Sequence, residues 1–459
     1  MNFYDTVAAL SSPHGKGGVA VIRISGSEAF EIAERVFLPA SGKKIGELAP
    51  NLMVYGRIIS RGEVIDDGLI VKFRAPRSFT GEDTVEINCH GGIYVTQRVL
   101  SAIFAAGARP AEAGEFTRRA FINGKLELSQ AEALGALLEA KNDEQIRLAR
   151  GAMSGRIAEA CSELYNDMVS LVAQIYASVD YPEEDLADMT SDEMAEAARG
   201  IYSRACALLN TYKTGHAVME GISTVICGKP NVGKSSLYNA ICGYDAAIVT
   251  DIEGTTRDIL TQTVSLGRVT LRLCDTAGIR DTADAVESIG VARAKDSLAR
   301  AELILAVFDN SRPLDGEDFE IMDEIKAANA VKLAIINKND ENSTISDSDI
   351  AEHFDHVIRI SAKSGDGIEE LKNLIDKLYV DERIVESGEA VLINARQHAS
   401  LEVAANHIAL AIEALSEGLS PDLAGVDLEL AMSQLAEIDG RQVDEAIVAG
   451  IFSHFCVGK

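Results

Sequence analysis

The sequence predicts a multidomain chain, in which an α+β domain is followed by a discontinuous α-helical domain with an α/β P-loop domain inserted into it. Three observations predict this. Residues 1–118 alternate short apolar runs with Gly and Pro punctuation. From about Ala120 the apolar residues recur at helical spacing. From Gly221 compact apolar runs alternate with helix-like stretches, and helices return after about Asp381. The expected divisions are 1–118, 119–220, 221–381 and 382–459.

At 459 residues the chain exceeds what a single core supports, so two or three domains are expected. Its 47% hydrophobic and 25% charged content is that of an ordinary globular protein. No apolar run reaches the roughly 18 residues of a membrane span. The start, MNFYDTVAAL, lacks the basic-then-apolar pattern of a signal peptide. A cytoplasmic location is therefore the expectation. The cysteine count is odd, at 7, and no C-x-x-C occurs, which argues against a disulfide framework or zinc ribbon. Cys227 and Cys274 end apolar runs and read as buried thiols. A net charge of −28 argues against loose, charge-driven coating of nucleic acid.

Taken in order, VAVIRIS (Val19–Ser25), LIVKF (Leu69–Phe73) and TVEIN (Thr84–Asn88) read as strands. Ser129 and Glu132 have the spacing of a capping box, in which serine and glutamate satisfy each other's backbone donors. Beyond them, Leu134, Leu137, Leu138, Ile146, Leu148, Ile157, Leu164, Met168 and Leu171 carry helices to about Asp180. DYPEEDLADM is an acidic connector. Thr190 and Glu193 repeat the capping spacing before a helix expected to reach about Tyr212. ISTVIC, VTLRLC, LILAVF, VKLAIIN and VIRIS then predict a mostly parallel sheet with helices on both faces. Ser420-Pro421 has helix-start chemistry, and that helix should stop near Gly440.

Four of the five apolar runs of this α/β domain end in a motif. GKPNVGKS (Gly228–Ser235) fits G-x-x-x-x-G-K-[ST]. Backbone N–H groups of Asn231, Val232, Gly233, Lys234, Ser235 and Ser236 would wrap phosphate oxygens. Lys234 adds positive charge at the outer phosphates, and the Ser235 hydroxyl is placed to ligate Mg²⁺. DTAG (Asp275, Thr276, Ala277, Gly278) follows VTLRLC. Its carboxylate can hold the magnesium through water, and the Gly278 N–H can sense the terminal phosphate. NKND supplies Asn337, Lys338 and Asp340. A carboxylate at Asp340 accepts from two guanine donors that adenine lacks, so GTP is selected. Ser361, Ala362 and Lys363 fit the loop that closes over the base. TDIEGTTRD places Thr250, Asp251, Ile252, Glu253, Gly254, Thr255 and Thr256 in a switch, with Thr256 as the second Mg²⁺ ligand. Singly these are ordinary turns; five in this order make a GTP site.

Ile279 stands where Ras-like domains carry a water-orienting glutamine, so the catalytic group lies elsewhere. Arg257 as an arginine finger and Glu287 as a water-positioning carboxylate are the two candidates.

With these motifs in place, the flanking segments become informative. DTVAALSSPHGKGGVAVIRISG, SFTGEDTVEINCHGG, RPAEAGEFTRRAFINGKLELSQAEAL, TDIEGTTRD, DTAGIRDTADAVESIG and the terminal IFSHFCVGK are similar to the MnmE/TrmE family of tRNA-modification GTPases. The likeness runs over essentially the whole chain, with small departures. The usual P-P-G-x-G-G reads PHGKGG here, and F-C-I-G-K reads FCVGK.

The resemblance implies an N-terminal folate-binding domain that drives homodimerisation, a divided helical domain, and an inserted Ras-like G domain. It implies a 5-formyl- or methylene-tetrahydrofolate site at Arg23, Glu86, Lys125 and Lys459. There the cations suit the glutamate tail and Glu86 suits pterin donors. It implies a K⁺ ion held by Asn231 with carbonyls of Thr250, Ile252 and Thr255, in place of an arginine finger. It makes Glu287 the catalytic glutamate beside Lys234, and Cys456 a functional thiol near the folate pocket. It further implies a flavoprotein partner, MnmG (GidA), in a heterotetramer. Together the two would install an aminomethyl or carboxymethylaminomethyl group at C5 of the wobble uridine of certain tRNAs. The alternative, a ribosome-assembly GTPase, would append a basic RNA-binding module, whereas the C-terminal part here is acidic.

Overall fold

The computed structural model describes residues 5–180, 189–244, 262–274 and 297–459. The chain divides into two compact units. One comprises Met1–Gly135, Met153–Tyr165 and Met432–Lys459, the other Ala136–Ala152 and Asn166–Ala431.

The first unit is built on seven strands: β1 (Val7–Leu10), β2 (Val19–Ser25), β3 (Phe37–Pro39), β4 (Val54–Ser60), β5 (Glu63–Phe73), β6 (Thr84–His90) and β7 (Arg109–Pro110). They lie in the order β3-β4-β5-β6-β2-β1-β7. All neighbours are antiparallel except β1 and β7. The β4–β5 hairpin turns on Arg61 (φ 49°) and Gly62 (φ 82°), the double left-handed conformation whose twist suits a two-residue turn. Helices α1 (Ala29–Val36) and α2 (Ile93–Ala105) share one apolar core with Ile22, Ile24, Ile58, Ile70 and Ile87 of the sheet. Alternation then sends Arg23 to the opposite face from Ile22 and Ile24. Arg23 faces Glu86 directly across β2 and β6. Helix α3 (Glu115–Ile122) follows β7.

Helices α4 (Leu128–Glu139), α5 (Asp143–Met153), α6 (Arg156–Asp180) and α7 (Ser191–Met219) come next. The Thr190–Glu193 capping box forms, worth about 1 kcal/mol. The Ser129–Glu132 box does not. Helix α4 starts two residues too early for it, and the buried Ser129 hydroxyl has no hydrogen-bond partner. The start is closed instead by Gln130, whose side-chain oxygen accepts the Glu127 N–H at 3.0 Å. Helix α7 also continues past Tyr212 to Met219. At Gly215 within it, the Leu392 carbonyl approaches so closely that a Cβ would collide with it.

In the second unit, six strands form the sheet β13-β12-β11-β8-β10-β9. They are β8 (Ile222–Cys227), β9 (Gln262–Leu266), β10 (Val269–Cys274), β11 (Leu303–Asp309), β12 (Val331–Asn337) and β13 (His356–Arg359). All pairs are parallel except β9–β10. All of β11 is buried, which is why it reads as a continuous apolar run rather than an alternating one. Cys274 is half-buried at its strand end, while burial pushes the Cys227 thiol up to about 12. Helices α8 (Lys234–Tyr244), α9 (Gly316–Lys326) and α10 (Ile368–Tyr379) belong to this sheet, followed by α11 (Glu382–Ser387). Helix α12 (Ala395–Ser416) packs along α7. Helices α13 (Pro421–Asp439) and α14 (Glu445–Ser453) complete the chain, α13 beginning at the expected proline.

Candidate functional site

The sheet order reverses around β8, which has β10 on one side and β11 on the other. In open α/β sheets, ligands bind where the order reverses, beyond the carboxyl ends of the strands. The GKPNVGKS loop leaves β8 at that place and runs into α8. Asn231 sits at φ 63° and Gly233 at φ 99°, a curved path that turns successive N–H groups inward. Gly233 must be glycine on two counts. Its φ is left-handed, and a Cβ there would strike the Asn337 amide. Lys234 Nζ donates to Gly228 O (2.8 Å) and Lys229 O (2.7 Å), which holds the ammonium across the loop. Ser235 and Ser236 stand in the first turn of α8.

Asn337, 2% exposed, joins three of the predicted motifs. Its Nδ2 donates to Val232 O at 2.9 Å, and its Oδ1 accepts the Ala362 N–H at 3.0 Å. The phosphate loop, NKND and the SAK loop are thus tied by one side chain. Asp340 is exposed and accepts the Ser361 hydroxyl at 2.7 Å. That bond holds its carboxyl below the usual 3.8, so it stays an anionic acceptor. Lys338, at φ 63°, pairs with Asp309 at 2.6 Å and so braces the loop from beneath. Burial raises the Asp309 carboxyl, but Lys338 and Ser311 outweigh it and leave it lowered. Lys229 turns away from the loop to Asp315 (2.6 Å) and Glu317 (3.1 Å) at the start of α9. Lys363 is exposed next to Ala362. Thr250 to Thr256, Arg257, Asp275 to Gly278, Ile279 and Glu287 lie outside the described residues.

The first unit gathers the other predicted residues. Arg23 donates to Glu86 Oε1 through Nε (3.0 Å) and Nη2 (2.8 Å). Its guanidinium lies over the rings of Phe79 (5.2 Å) and Phe116 (5.4 Å). The end of the chain reaches the same helix: the Phe116 N–H donates to Lys459 O at 3.1 Å, and Ala113 bridges Val457. Cys456 is exposed, with its carbonyl accepting from the Gly114 and Lys459 N–H groups. Lys125 Nζ donates to Pro76 O at 3.0 Å, on the segment that carries Phe79. Arg23, Glu86 and the backbone of Lys459 therefore meet at Phe116, with Lys125 on the 76–81 segment.

Sequence reasoning missed Phe79 and Phe116. It also missed a buried network behind them. Arg119, 2% exposed, donates to Asp5 (2.7 Å), Glu115 (2.8 Å) and Glu82 (3.1 Å), while Arg109 pairs with Asp5 and Glu115 (2.7 Å each). The i,i+4 spacing of Glu115 and Arg119 was a usable signal for that one pair. No local pattern points to Asp5 or Glu82.

Residues 6–125 match the "GTP-binding protein TrmE N-terminus", and residues 128–456 match the "MnmE helical domain". The chain is 39% identical to the tRNA modification GTPase MnmE of Clostridioides difficile, covering 99% of each. It is 41% identical to MnmE of Geobacillus kaustophilus, covering 100% of each. Among solved structures, the G domain of the T. maritima FeoB iron transporter aligns with 34% of this chain and 96% of its own at 26% identity and a TM-score of 0.26. The full-length likeness and the two domain matches, together with the nucleotide loops gathered at the β8 switch point, place this chain in the MnmE family of tRNA modification GTPases.

Proposed function

We propose that this chain binds and hydrolyses GTP as part of tRNA wobble-uridine modification. The observation that carries the reading is the Asn337 junction, which brings the phosphate loop and both base-reading loops to one place. Lys234 gives up its bonds to two loop carbonyls to hold phosphate oxygens instead. Asp340, kept anionic by Ser361, selects guanine. Ser235 and Thr256 hold Mg²⁺, which neutralises phosphate charge. Asn231, exposed and left-handed at the rim of the loop, holds K⁺ with carbonyls of Thr250, Ile252 and Thr255. Glu287 positions the attacking water, Ile279 being unable to.

The pocket at Arg23, Glu86, Lys125 and Lys459 holds a tetrahydrofolate derivative, the carrier of the one-carbon unit. The residues fit such a ligand. Two aromatic rings flank the guanidinium, cations suit its carboxylates, and Glu86 suits ring N–H donors. Cys456 lies on the tail whose backbone bonds to Gly114 and Phe116 beside these residues. The chain works as a homodimer with an MnmG-type flavoprotein on tRNA, in the cytoplasm. Its domains divide at about residues 118, 220 and 381, and GTP hydrolysis drives conformational change rather than chemistry on uridine. Among the described residues no helix is long and apolar enough to cross a membrane.

Substituting Asp340→Asn tests the base-reading role. GTP affinity is expected to fall about 100-fold, the loss of a bidentate charge-assisted pair, while xanthosine triphosphate binding rises. Equal loss for both nucleotides, measured by calorimetry, would remove Asp340 from base selection.

A further inference from the structure

Away from the nucleotide loops, at the opposite end of β8, four segments converge on His216. This residue lies in the last turn of α7 and its side chain is 18% exposed. Its Nδ1 faces Glu220 Oε2 at 2.9 Å and its Nε2 faces Glu302 Oε1 at 2.9 Å. A neutral imidazole donates from one nitrogen only, so satisfying two carboxylates requires the imidazolium. Each carboxylate spends its other oxygen on backbone. Glu220 Oε1 accepts the Ala395 N–H (2.9 Å) at the start of α12, and Glu302 Oε2 accepts the Ser223 N–H (2.8 Å) at the start of β8.

The remaining groups around the ring belong to the same joint. Arg272 of β10 reaches Glu302 at 3.6 Å. Tyr379 of α10 donates its hydroxyl to the Glu302 carbonyl at 2.9 Å. Tyr212 of α7 stacks on His398 of α12, with centroids 4.2 Å apart, and its own ring lies 5.3 Å from His216. Burial holds the Tyr212 phenol up to about 12, so it stays neutral where His216 titrates.

We propose that Arg272, Glu302, His216 and Glu220 form a charged relay that carries nucleotide state from β10 to helices α7 and α12. It rests on the GTP reading above and names the route by which that site would act on the helices. Strand β10 runs straight into DTAG, the sequence expected to sense the terminal phosphate. A small displacement of β10 changes the Arg272–Glu302 contact. Glu302 is shared by β8 and His216, so the change passes to α7, and through Glu220 to the first turn of α12. Ion pairs and hydrogen bonds in series, between rigid elements, are the kind of physical chain along which coupling travels.

The test is amide hydrogen exchange on the full chain, bound either to GDP or to a non-hydrolysable GTP analogue. Protection at Ser223 and Ala395 is expected to differ between the two states by about fivefold or more, the lower end of usual coupling energies. His216→Gln removes the charge. It is expected to bind both nucleotides within about twofold of the parent chain, as for distant sites, while the difference at Ala395 disappears. His216→Lys keeps a cation between the carboxylates and is expected to retain the difference. Bonds to Glu220, then Glu302, raise His216 to about 9 against the effect of burial. The parent chain should therefore lose the difference as pH rises through about 9, and the Lys variant should keep it there. A His216→Gln chain that retained the difference would overturn the relay. So would a parent chain that bound both nucleotides yet showed equal protection, although the GTP reading would then stand. A parent chain that bound neither nucleotide would remove the GTP reading and the relay with it.

Discussion

Asn337 and Arg119 occupy comparable places in the two units. Each is 2% exposed and each joins three separate segments, but they do so by opposite means. Asn337 is neutral and bonds only to backbone, accepting one N–H and donating to one carbonyl. The charged groups around it, Lys234 and Asp340, are held by carbonyls and a hydroxyl rather than by each other. Those bonds are modest and exchangeable, so a charged ligand can replace them. Arg119 instead sets charge against charge, facing Asp5, Glu82 and Glu115 together. Each carboxylate there already faces a guanidinium, and removing one partner leaves the buried charges less compensated. The nucleotide end is thus arranged to be reorganised by what it binds, and the Arg119 network to keep the N-terminal fold in one arrangement. Arg23–Glu86 lies between these extremes. It is a half-buried ion pair under two rings.

Arg119→Ala probes the difference most severely. It leaves Asp5 and Glu115 to Arg109 alone and Glu82 without its guanidinium partner, and is expected to cost about 3–5 kcal/mol of stability, read by denaturant unfolding. A loss under 1 kcal/mol would mean that the network is far better solvated than its burial indicates. Gly233→Ala probes the other side. The left-handed φ and the collision with Asn337 should lower nucleotide affinity about tenfold and cost about 1–3 kcal/mol of stability, less than Arg119→Ala. A stability loss as large as that of Arg119→Ala would erase the distinction drawn between the two regions.

A smaller effect comes from pH. The Asp5 carboxyl is held low chiefly by Arg109, against burial and with help from Arg119. Burial raises Glu115, but Arg109, the Glu112 N–H and Arg119 outweigh it. Both folded values lie below the ordinary 3.8 and 4.5. Their stabilisation is therefore present above those values and is lost as pH falls through the lowered ones. Acid unfolding followed in the parent chain and in Arg119→Ala should show a shallower acid slope in the variant. The smallest expected effect is that of Gln130→Ala, which removes the cap on α4 at a cost of about 0.5–1 kcal/mol. Ser129→Ala, at the position the sequence pattern favoured, should cost nothing or stabilise slightly, because its hydroxyl is buried without a partner.

The legible parts of the molecule were those whose cause is local. Strand β2, the Thr190–Glu193 cap, the proline start of α13 and the parallel character of the second sheet follow from periodicity and capping chemistry within a few residues. The nucleotide loops were legible for the same reason, since a P-loop's shape is set by its own glycines and its neighbouring strand and helix. Where local patterns misled, a distant contact had decided the outcome. Helix α7 runs past Tyr212 through Gly215, where a carbonyl from Leu392 fills the place a Cβ would take. Gln130 rather than Ser129 closes α4 because the helix begins at Leu128.

The amino-acid sequence alone determined the order of the elements, the chemistry at the strand ends and the family. Only the tertiary structure decided that Asn337 ties the nucleotide loops, that Arg23 lies under Phe79 and Phe116, and that His216 stands between two carboxylates. These contacts join residues far apart in the chain, and no period or spacing encodes such pairings. They arise when strand register and helix packing bring the groups within hydrogen-bond reach, where buried polar atoms must find partners.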